Sequence, residues 1–467
     1  MQPVYRKLAC LLTSLLCLSA AGFAPCADAA TSAALRGSLC KVEAVPATWD
    51  GAGGERLDLF VRKFPARGAS RGSIWAIAGG PGESGASLYA FVEVFRRSFP
   101  GYDLIVPDHR GTGASTRVCP AEEALDSPGG SALAGAEWGS CFGGIDADPA
   151  LARRFTLTNA AHDLRHLIMQ DAAGGRPVYL YSVSYGTQLV LRTLQLGRLP
   201  LTGVVLDSLV PPQHDGRWDL SRRSLVVDDV GRRVLARCDA DAACAAAMGA
   251  PAETVYRRVL ARAAADPALA GKVPGRDLRS FLGALLDLPA LRARIPYLVR
   301  DLDLGRTGEL DAVLAAVPAI TATLGDSPQL PPALPLTGII SNTESDLRPG
   351  RSLDDVRQEE APLLFRSPLP AILATSTLPR TPHDALFGRD PAWLPPTLVL
   401  HGTLDPKTHY DGALAHVASL RQAGPVGLVT VDGAPHFILW TAPACFEHQV
   451  GAFVAGVKPV DATCMAD

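Results

Sequence analysis

PVYLYSVSYGTQ, residues 177–188, combines an apolar run, a tight turn at Ser184 and a helix-compatible run. This pattern predicts a strand followed at once by a helix, with the Ser184 hydroxyl at the bend between them. Such a bend needs small residues two positions before and after the serine, because strand and helix approach closely there. Gly186 meets that need, and Ser182 is small enough to replace the usual glycine. Taken alone, the stretch also fits a serine that caps an ordinary helix.

Strand-like and helix-like segments alternate from about residue 41 to residue 209, the order that produces a mainly parallel sheet covered by helices. Ala, Leu and Arg then dominate in helical spacing, so we predict an α/β protein with a helical cap inserted between two parts of one core. The expected strands are two within 42–64 and one each at 73–78, 104–107, 177–181, 203–206, 397–401 and 427–431, with a helix at 445–454. The predicted division is a leader at 1–30, core at 31–210, cap at 211–391 and core again at 392–467.

Charge and composition exclude several classes of partner. The 467 residues contain 44 Lys plus Arg and 47 Asp plus Glu, a formal net charge of -3. This balance gives no general attraction toward nucleic acid or an anionic membrane. We therefore expect no nucleic-acid partner, and no membrane association once the leader is removed.

The N-terminal residues have the pattern of an export signal. A basic pair at 6–7 precedes an apolar stretch at 8–21 and a small-residue cleavage motif at 27–29. We expect cleavage near residue 29 or 30 and a secreted or periplasmic protein. A retained anchor is the alternative, but the apolar stretch is short for a spanning helix. Lipid attachment at Cys26 is a further alternative, disfavoured by the proline before it.

Cysteine spacing predicts disulfides. Three of the ten cysteines, at positions 10, 17 and 26, would leave with the leader, and an exported protein allows the remainder to pair. Three pairs are close in sequence, and the two larger loops would each contribute about 3 kcal/mol: Cys119 with Cys141, Cys238 with Cys244, and Cys445 with Cys464. Cys40 is then left over. Zinc binding is the competing use, but no CxxC pair or close Cys and His set is present, so no metal is expected.

A serine nucleophile needs a histidine base and an acid that orients it, and both follow Ser184 in the chain. Asp405 lies just beyond the predicted strand at 397–401, and His436 follows the next strand. The order Ser, Asp, His is that of α/β-hydrolases. The rival acid is Asp207, but an aspartate that caps a strand-end turn is the simpler explanation of that residue, so Asp405 is preferred. His401 and His409 are rival bases, of which His401 is better explained by a structural role.

Acyl transfer also needs hydrogen-bond donors where negative charge develops on the carbonyl oxygen. The glycine-rich loop 79–85 follows a predicted strand and lets backbone approach a substrate. We expect the N–H of Gly80, or in second place that of Gly79, to join the N–H of Tyr185 in an oxyanion hole. A phosphate loop is the rival, but the GKS or GKT ending is lacking. In the nearby run 108–115, Asp108 and Arg110 are expected to brace the loops.

Four segments together resemble secreted tripeptidyl aminopeptidase-like hydrolases, which are related to prolyl aminopeptidases. They are the loop at 79–82, the run at 108–115, Ser-Tyr-Gly-Thr at 184–187 and His-Gly-Thr-Leu-Asp-Pro at 401–406. The region from His436 to Cys464 is similar to that family's C-terminal part. The resemblance implies an α/β-hydrolase fold and release of residues or short peptides from a free peptide N-terminus through an acyl-enzyme.

The resemblance also implies that acidic groups of the cap bind the substrate ammonium. Glu344, in the run Ser341-Asn342-Thr343-Glu344, is the first candidate. Ser341 and Glu344 also match a helix capping box, which is the favoured alternative.

Three hypotheses for function follow. The leading one is a cofactor-independent serine aminopeptidase. The second is a carboxylesterase or amidase of the same fold, acting on small esters or amides, because fold does not set function. The third is a catalytically silent binding module, against which the complete Ser, Asp and His set argues.

Overall fold

Ten strands form one sheet in the computed structural model, which describes residues 22–51, 54–123, 138–322, 350–375 and 383–466. In chain order they are β1 (Ala24–Pro25), β2 (Leu39–Pro46), β3 (Arg56–Phe64), β4 (Ser73–Ile77), β5 (Asp103–Pro107), β6 (Val178–Val183), β7 (Gly203–Asp207), β8 (Thr397–Gly402), β9 (Val426–Asp432) and β10 (Ala462–Met465). Across the sheet the order is β1-β2-β3-β5-β4-β6-β7-β8-β9-β10. The pairs β1–β2, β2–β3 and β3–β5 are antiparallel, and every other pair of neighbouring strands is parallel. The predicted mainly parallel sheet is confirmed.

Apolar runs explain where the central strands lie. Every residue of β4, β5, β6 and β7 is buried, as expected for parallel strands with helices on both faces. The predicted strand positions agree closely with these elements and with β8 and β9. The short edge strands β1 and β10 were not predicted.

Helices cover both faces of the sheet. Six of them are α1 (Val92–Ser98), α4 (Leu157–Ala172), α5 (Tyr185–Gln195), α16 (Tyr410–Leu420), α17 (Ile438–Thr441) and α18 (Pro443–Val454), and α2 (Trp138–Ala147) and α3 (Pro149–Arg154) lie on the connection that leads to α4. Leu164 of α4 and Val190 of α5 belong to the apolar cluster on one face. Phe95 of α1 and Phe446 of α18 belong to the cluster on the other. A 3₁₀ helix at Gly85–Phe91 precedes α1.

The described residues between β7 and β8 form helices and no strand. They are α6 (Arg223–Ala240), α7 (Ala242–Met248), α8 (Ala252–Ala265), α9 (Pro267–Lys272), α10 (Leu278–Leu285), α11 (Pro289–Arg292), α12 (Ile295–Asp303), α13 (Gly308–Ala322), α14 (Leu353–Glu360) and α15 (Leu369–Thr375), with 3₁₀ turns at Leu220–Arg222 and Pro274–Arg276. Helices α6 to α13 share a separate apolar core, which Leu364, Phe365 and, from the β8 loop, Leu404 join. The expected helical cap is therefore present. The exact domain limits at 30, 210 and 391 stay a prediction. Across the described ranges, no helix is both long and apolar enough for a membrane crossing.

The described residues contain four disulfides, and three are the predicted pairs at 119–141, 238–244 and 445–464. The fourth joins Cys26 to Cys40, so the expectation that Cys40 lacks a partner is wrong. Next to that bond, Asp28 accepts two hydrogen bonds, of 2.7 and 2.6 Å, from the fully buried Arg62. Cleavage near residue 29 or 30 would remove both contacts. Residues 1–21 of the expected leader lie outside the described ranges, and its cleavage, with the departure of Cys26, stays a prediction.

Candidate active site

Ser184 occupies the sharp bend between β6 and α5. Its backbone has φ 55° and ψ -128°, a conformation that side-chain-bearing residues rarely adopt and that costs about 1–3 kcal/mol. Backbone contacts hold it there: the Ser184 N–H donates to the Asp207 carbonyl at 3.0 Å, and its carbonyl accepts from the Thr187 N–H at 2.8 Å. The bend thus presents the Ser184 side chain at the end of the sheet instead of in its core.

Close approach of α5 to β4 explains the small residue after the turn. A Cβ atom at Gly186 would lie 2.5 Å from the carbonyl oxygen of Ala78 and 2.8 Å from that of Ile77. Ser182, on the other side of the turn, is fully buried. Its hydroxyl has no hydrogen-bond partner within the described part of the chain. The property of Ser182 that matters at this position is therefore the small size of its side chain.

We expect Gly186→Ala to lower the free energy of unfolding by about 1–3 kcal/mol, because the added methyl group meets immobile backbone. Chemical denaturation followed by circular dichroism measures this. Gly451→Ala on α18 is the matched control, since a Cβ there meets nothing within 4 Å. Equal stability of the two variants would contradict the packing of this bend.

Asp405 and His436 are brought together although 31 residues separate them in the chain. His436 Nδ1 lies 2.7 Å from Asp405 Oδ2. Asp405 is fully buried and accepts backbone N–H bonds from Lys407 and Thr408 at 2.7 and 2.8 Å. Burial alone would raise the Asp405 pKa, but His436 and these donors hold that pKa well below its usual value. The carboxylate therefore remains ionised beside the imidazole.

Thr408, which carries no sequence signal of its own, contacts this pair and also lines the cavity of Ser184. Its Oγ1 lies 2.9 Å from Asp405 Oδ2 and 3.4 Å from His436 Nδ1. Thr408 and Ser184 also line one cavity. The Asp405–His436 pair therefore adjoins the wall of the cavity onto which Ser184 opens.

The rival acid Asp207 is used elsewhere. It accepts the backbone N–H groups of Ile438 and Leu439 at 2.8 and 2.9 Å, and the Tyr181 hydroxyl at 3.0 Å. It therefore caps the short helix α17, which begins two residues after His436. This is a helix cap rather than the turn cap that the sequence indicated.

The rival bases also have other partners. His401 is fully buried, its Nε2 lies 2.7 Å from the Thr408 carbonyl, and burial lowers its pKa. His409 Nε2 contacts Asp229 at 2.7 Å.

The predicted oxyanion residues surround Ser184. Gly80 and Tyr185 line the same cavity, and a Cβ placed at Gly79 would be 3.1 Å from Ser184 Cβ. Gly80 has φ 111°, in the region that favours glycine. Tyr185 begins α5, so its N–H is one of the helix-terminal donors without an intrahelical acceptor. The arrangement suits stabilisation of a developing oxyanion, with Gly80 rather than Gly79 at the cavity wall.

The predicted bracing by residues 108 and 110 is confirmed. Asp108 accepts the Gly85 N–H at 2.6 Å, the Ser84 hydroxyl at 2.9 Å and the Ala114 N–H at 2.8 Å. It therefore ties the glycine loop to the loop after β5. Arg110 forms a buried two-point contact with Asp163 of α4, with both distances 2.6 Å.

The cavity has a volume of ≈ 630 Å³, and its walls come from both the sheet and the cap. The glycine loop, the elbow, the segment after β7, the start of α6 and the β8 loop all contribute. No group of three or more potential metal ligands occurs in the described ranges. Glu344, the candidate for amine binding, lies outside those ranges.

Comparison with known families agrees with this architecture. Residues 76–282 match the family described as alpha/beta hydrolase fold, and residues 371–464 match the family described as TAP-like protein. The serine protease Hip1 of Mycobacterium tuberculosis (strain ATCC 25618 / H37Rv) is 40% identical over 81 residues, which are 17% of this chain and 16% of Hip1. Hip1 of Mycobacterium bovis matches to the same extent. The chain thus aligns with only a small part of these curated relatives.

Solved structures align over greater lengths at low identity. A thermophilic esterase from Thermogutta terrifontis aligns over 89% of this chain and 98% of its own, with 13% identity and a TM-score of 0.40. A proline iminopeptidase-related protein from Thermus thermophilus aligns over 90% of this chain and 99% of its own, with 16% identity and a TM-score of 0.37. The fold assignment itself depends on the strand order and the family matches.

Proposed function

We propose that this chain, which has the α/β-hydrolase fold, is a serine hydrolase in which Ser184 is the nucleophile and His436 the base. The observation that carries the proposal is the strained serine at the elbow, opening onto a cavity that the Asp405–His436 pair adjoins. A strained backbone held by its surroundings is common where function requires it.

The proposed reaction has two halves. Ser184 Oγ attacks the substrate carbonyl while His436 Nε2 takes its proton, and the N–H groups of Tyr185 and Gly80 donate to the oxyanion. The imidazolium then protonates the leaving group as the carbonyl re-forms, leaving an ester on Ser184. Water then attacks that ester while His436 takes its proton, and the imidazolium returns the proton to Ser184 Oγ as the acid is released. Asp405 fixes the Nδ1–H tautomer throughout.

We extend the proposal to the substrate: peptides, cleaved near a free N-terminus. Support comes from the TAP-like match at 371–464 and from the local similarity to a protein named a serine protease. We also propose that the protein acts outside the cytoplasm, because its four disulfides are typical of oxidising compartments.

A matched substrate panel tests this proposal. We expect peptide anilides with a free amine to be cleaved with a kcat/KM at least about tenfold above that of their N-acetyl forms, because a charged amine adds charge-assisted hydrogen bonds. The Ser184→Ala variant reports the background. Equal cleavage of the acetylated peptides would refute the exopeptidase assignment, and cleavage of simple esters alone would identify an esterase. Absence of all Ser184-dependent turnover would favour a binding module.

A further inference from the structure

Four charged side chains line the active-site cavity, and two of them have ion-pair partners within the protein. Asp215 pairs with Arg217 at 2.5 Å, and Lys407 pairs with Asp287 at 2.9 Å. The other two, Asp219 and Arg223, lack such an ion pair within the described residues.

Asp219 has a local hydrogen-bond partner that Arg223 lacks. Its carboxylate accepts the hydroxyl of Ser221, and burial raises its pKa, which favours the neutral form. The Arg223 guanidinium makes no hydrogen bond or close ion pair with any described residue, although the cap half-buries it. Burial lowers its pKa, and the carboxylates that act on it from a distance are Asp405 and Asp287. Both of these are already engaged, with His436 and Lys407.

Arg223 lies at a position where a cation destabilises the folded protein, so stability alone does not explain its presence. It is the first residue of α6, an 18-residue helix, and a cation at a helix N-terminus is repelled by the positive end of the helix dipole. A half-buried guanidinium also loses hydration, which an anionic partner would replace with charge-assisted hydrogen bonds. A bound carboxylate would therefore relieve both costs.

We propose that Arg223 binds a carboxylate of the substrate, so that the preferred substrates are peptides with an acidic group next to the scissile bond. The inference depends on the proposed function, because the same cavity must hold the scissile carbonyl beside Ser184. The planar guanidinium matches a carboxylate at two points, which an ammonium cannot do. The carboxylate that Arg223 binds has two sources: an acidic side chain on the acyl residue, or the C-terminal carboxylate of the leaving peptide.

The test compares substrates that differ only in charge. One pair has Glu or Gln as the acyl residue of a peptide anilide, and a second pair has a leaving dipeptide with a free or an amidated carboxyl group. Wild type should favour the acidic member of one pair by at least about tenfold in kcat/KM. Arg223→Gln should reduce that ratio to about one, whereas Arg223→Lys should leave an intermediate ratio because the two-point contact is lost.

Arg222→Gln is the matched control, because Arg222 is adjacent in sequence, does not line the cavity and faces Glu359 at 3.8 Å. It should keep the wild-type ratio. A ratio near one for both pairs in wild type, with turnover still dependent on Ser184, would overturn the inference and leave the proposed function intact.

If no substrate is turned over, binding provides the readout. N-acetylglutamate should then raise the thermal midpoint of wild type and Arg222→Gln but not that of Arg223→Gln, and N-acetylglutamine should raise none of them. An equal shift in all three proteins, or no shift in any, would overturn the inference.

Discussion

Replacing Ser184 with alanine should reduce kcat on any accepted substrate by about 10⁴-fold or more, because removal of a nucleophile eliminates the acyl-enzyme route. The substitution leaves the strained backbone conformation at position 184 as it is, so the stability of the folded protein should change little. Steady-state turnover and the thermal midpoint of the purified variant measure the two effects separately.

Ser182→Ala is the internal control for that change. Ser182 lies two residues away on β6, and its buried hydroxyl has no hydrogen-bond partner in the described structure. Its loss should therefore cost little activity or stability. Retained turnover in Ser184→Ala, or an equal loss in Ser182→Ala, would contradict the assignment of the nucleophile.

Substitution of the two buried aspartates should separate catalysis from folding. Asp405→Asn should reduce kcat by about 10⁴-fold, since the amide no longer stabilises the imidazolium and permits the wrong tautomer of His436. Asp207→Asn should instead lower the free energy of unfolding by about 1–3 kcal/mol, because Asp207 accepts two backbone N–H groups of α17. Its kcat below the unfolding transition should fall far less.

Turnover at low temperature and denaturant unfolding of both variants distinguish these roles. The reverse result, with normal kcat in Asp405→Asn and a catalytically dead but stable Asp207→Asn, would make Asp207 the orienting acid.

Much of the fold was predictable because parallel strands buried on both faces are continuous apolar runs. The runs before Ser184 and Asp405 are of this kind, so the strands that lead to these two residues were predictable. The edge strand β10 was missed because its four residues alternate between intermediate and exposed positions, so they form no continuous apolar run.

The unpredicted contacts at the N-terminus have a similar origin. Composition makes residues 27–29 look like a cleavage motif, whereas the bond between Cys26 and Cys40 and the contact of Asp28 with Arg62 are visible only once β2 and β3 pair. A segment can therefore have the composition of a leader and also make contacts with the folded core.

Side-chain roles were the least predictable part of the site. Candidates for the triad were visible because their residue types and order are restricted by the chemistry. Thr408 and Arg223 carry no such pattern: one is an ordinary loop residue and the other begins a helix. Their significance depends on which side chains face the cavity, which only the tertiary structure shows.

Mapping a covalent adduct tests the central claim most directly. Purified protein is treated with a fluorophosphonate, digested and analysed by mass spectrometry to locate the modified residue. We predict one adduct, on Ser184. It should disappear in Ser184→Ala and form far more slowly in a His436→Ala variant. An adduct on another residue, or no adduct on folded protein, would contradict it.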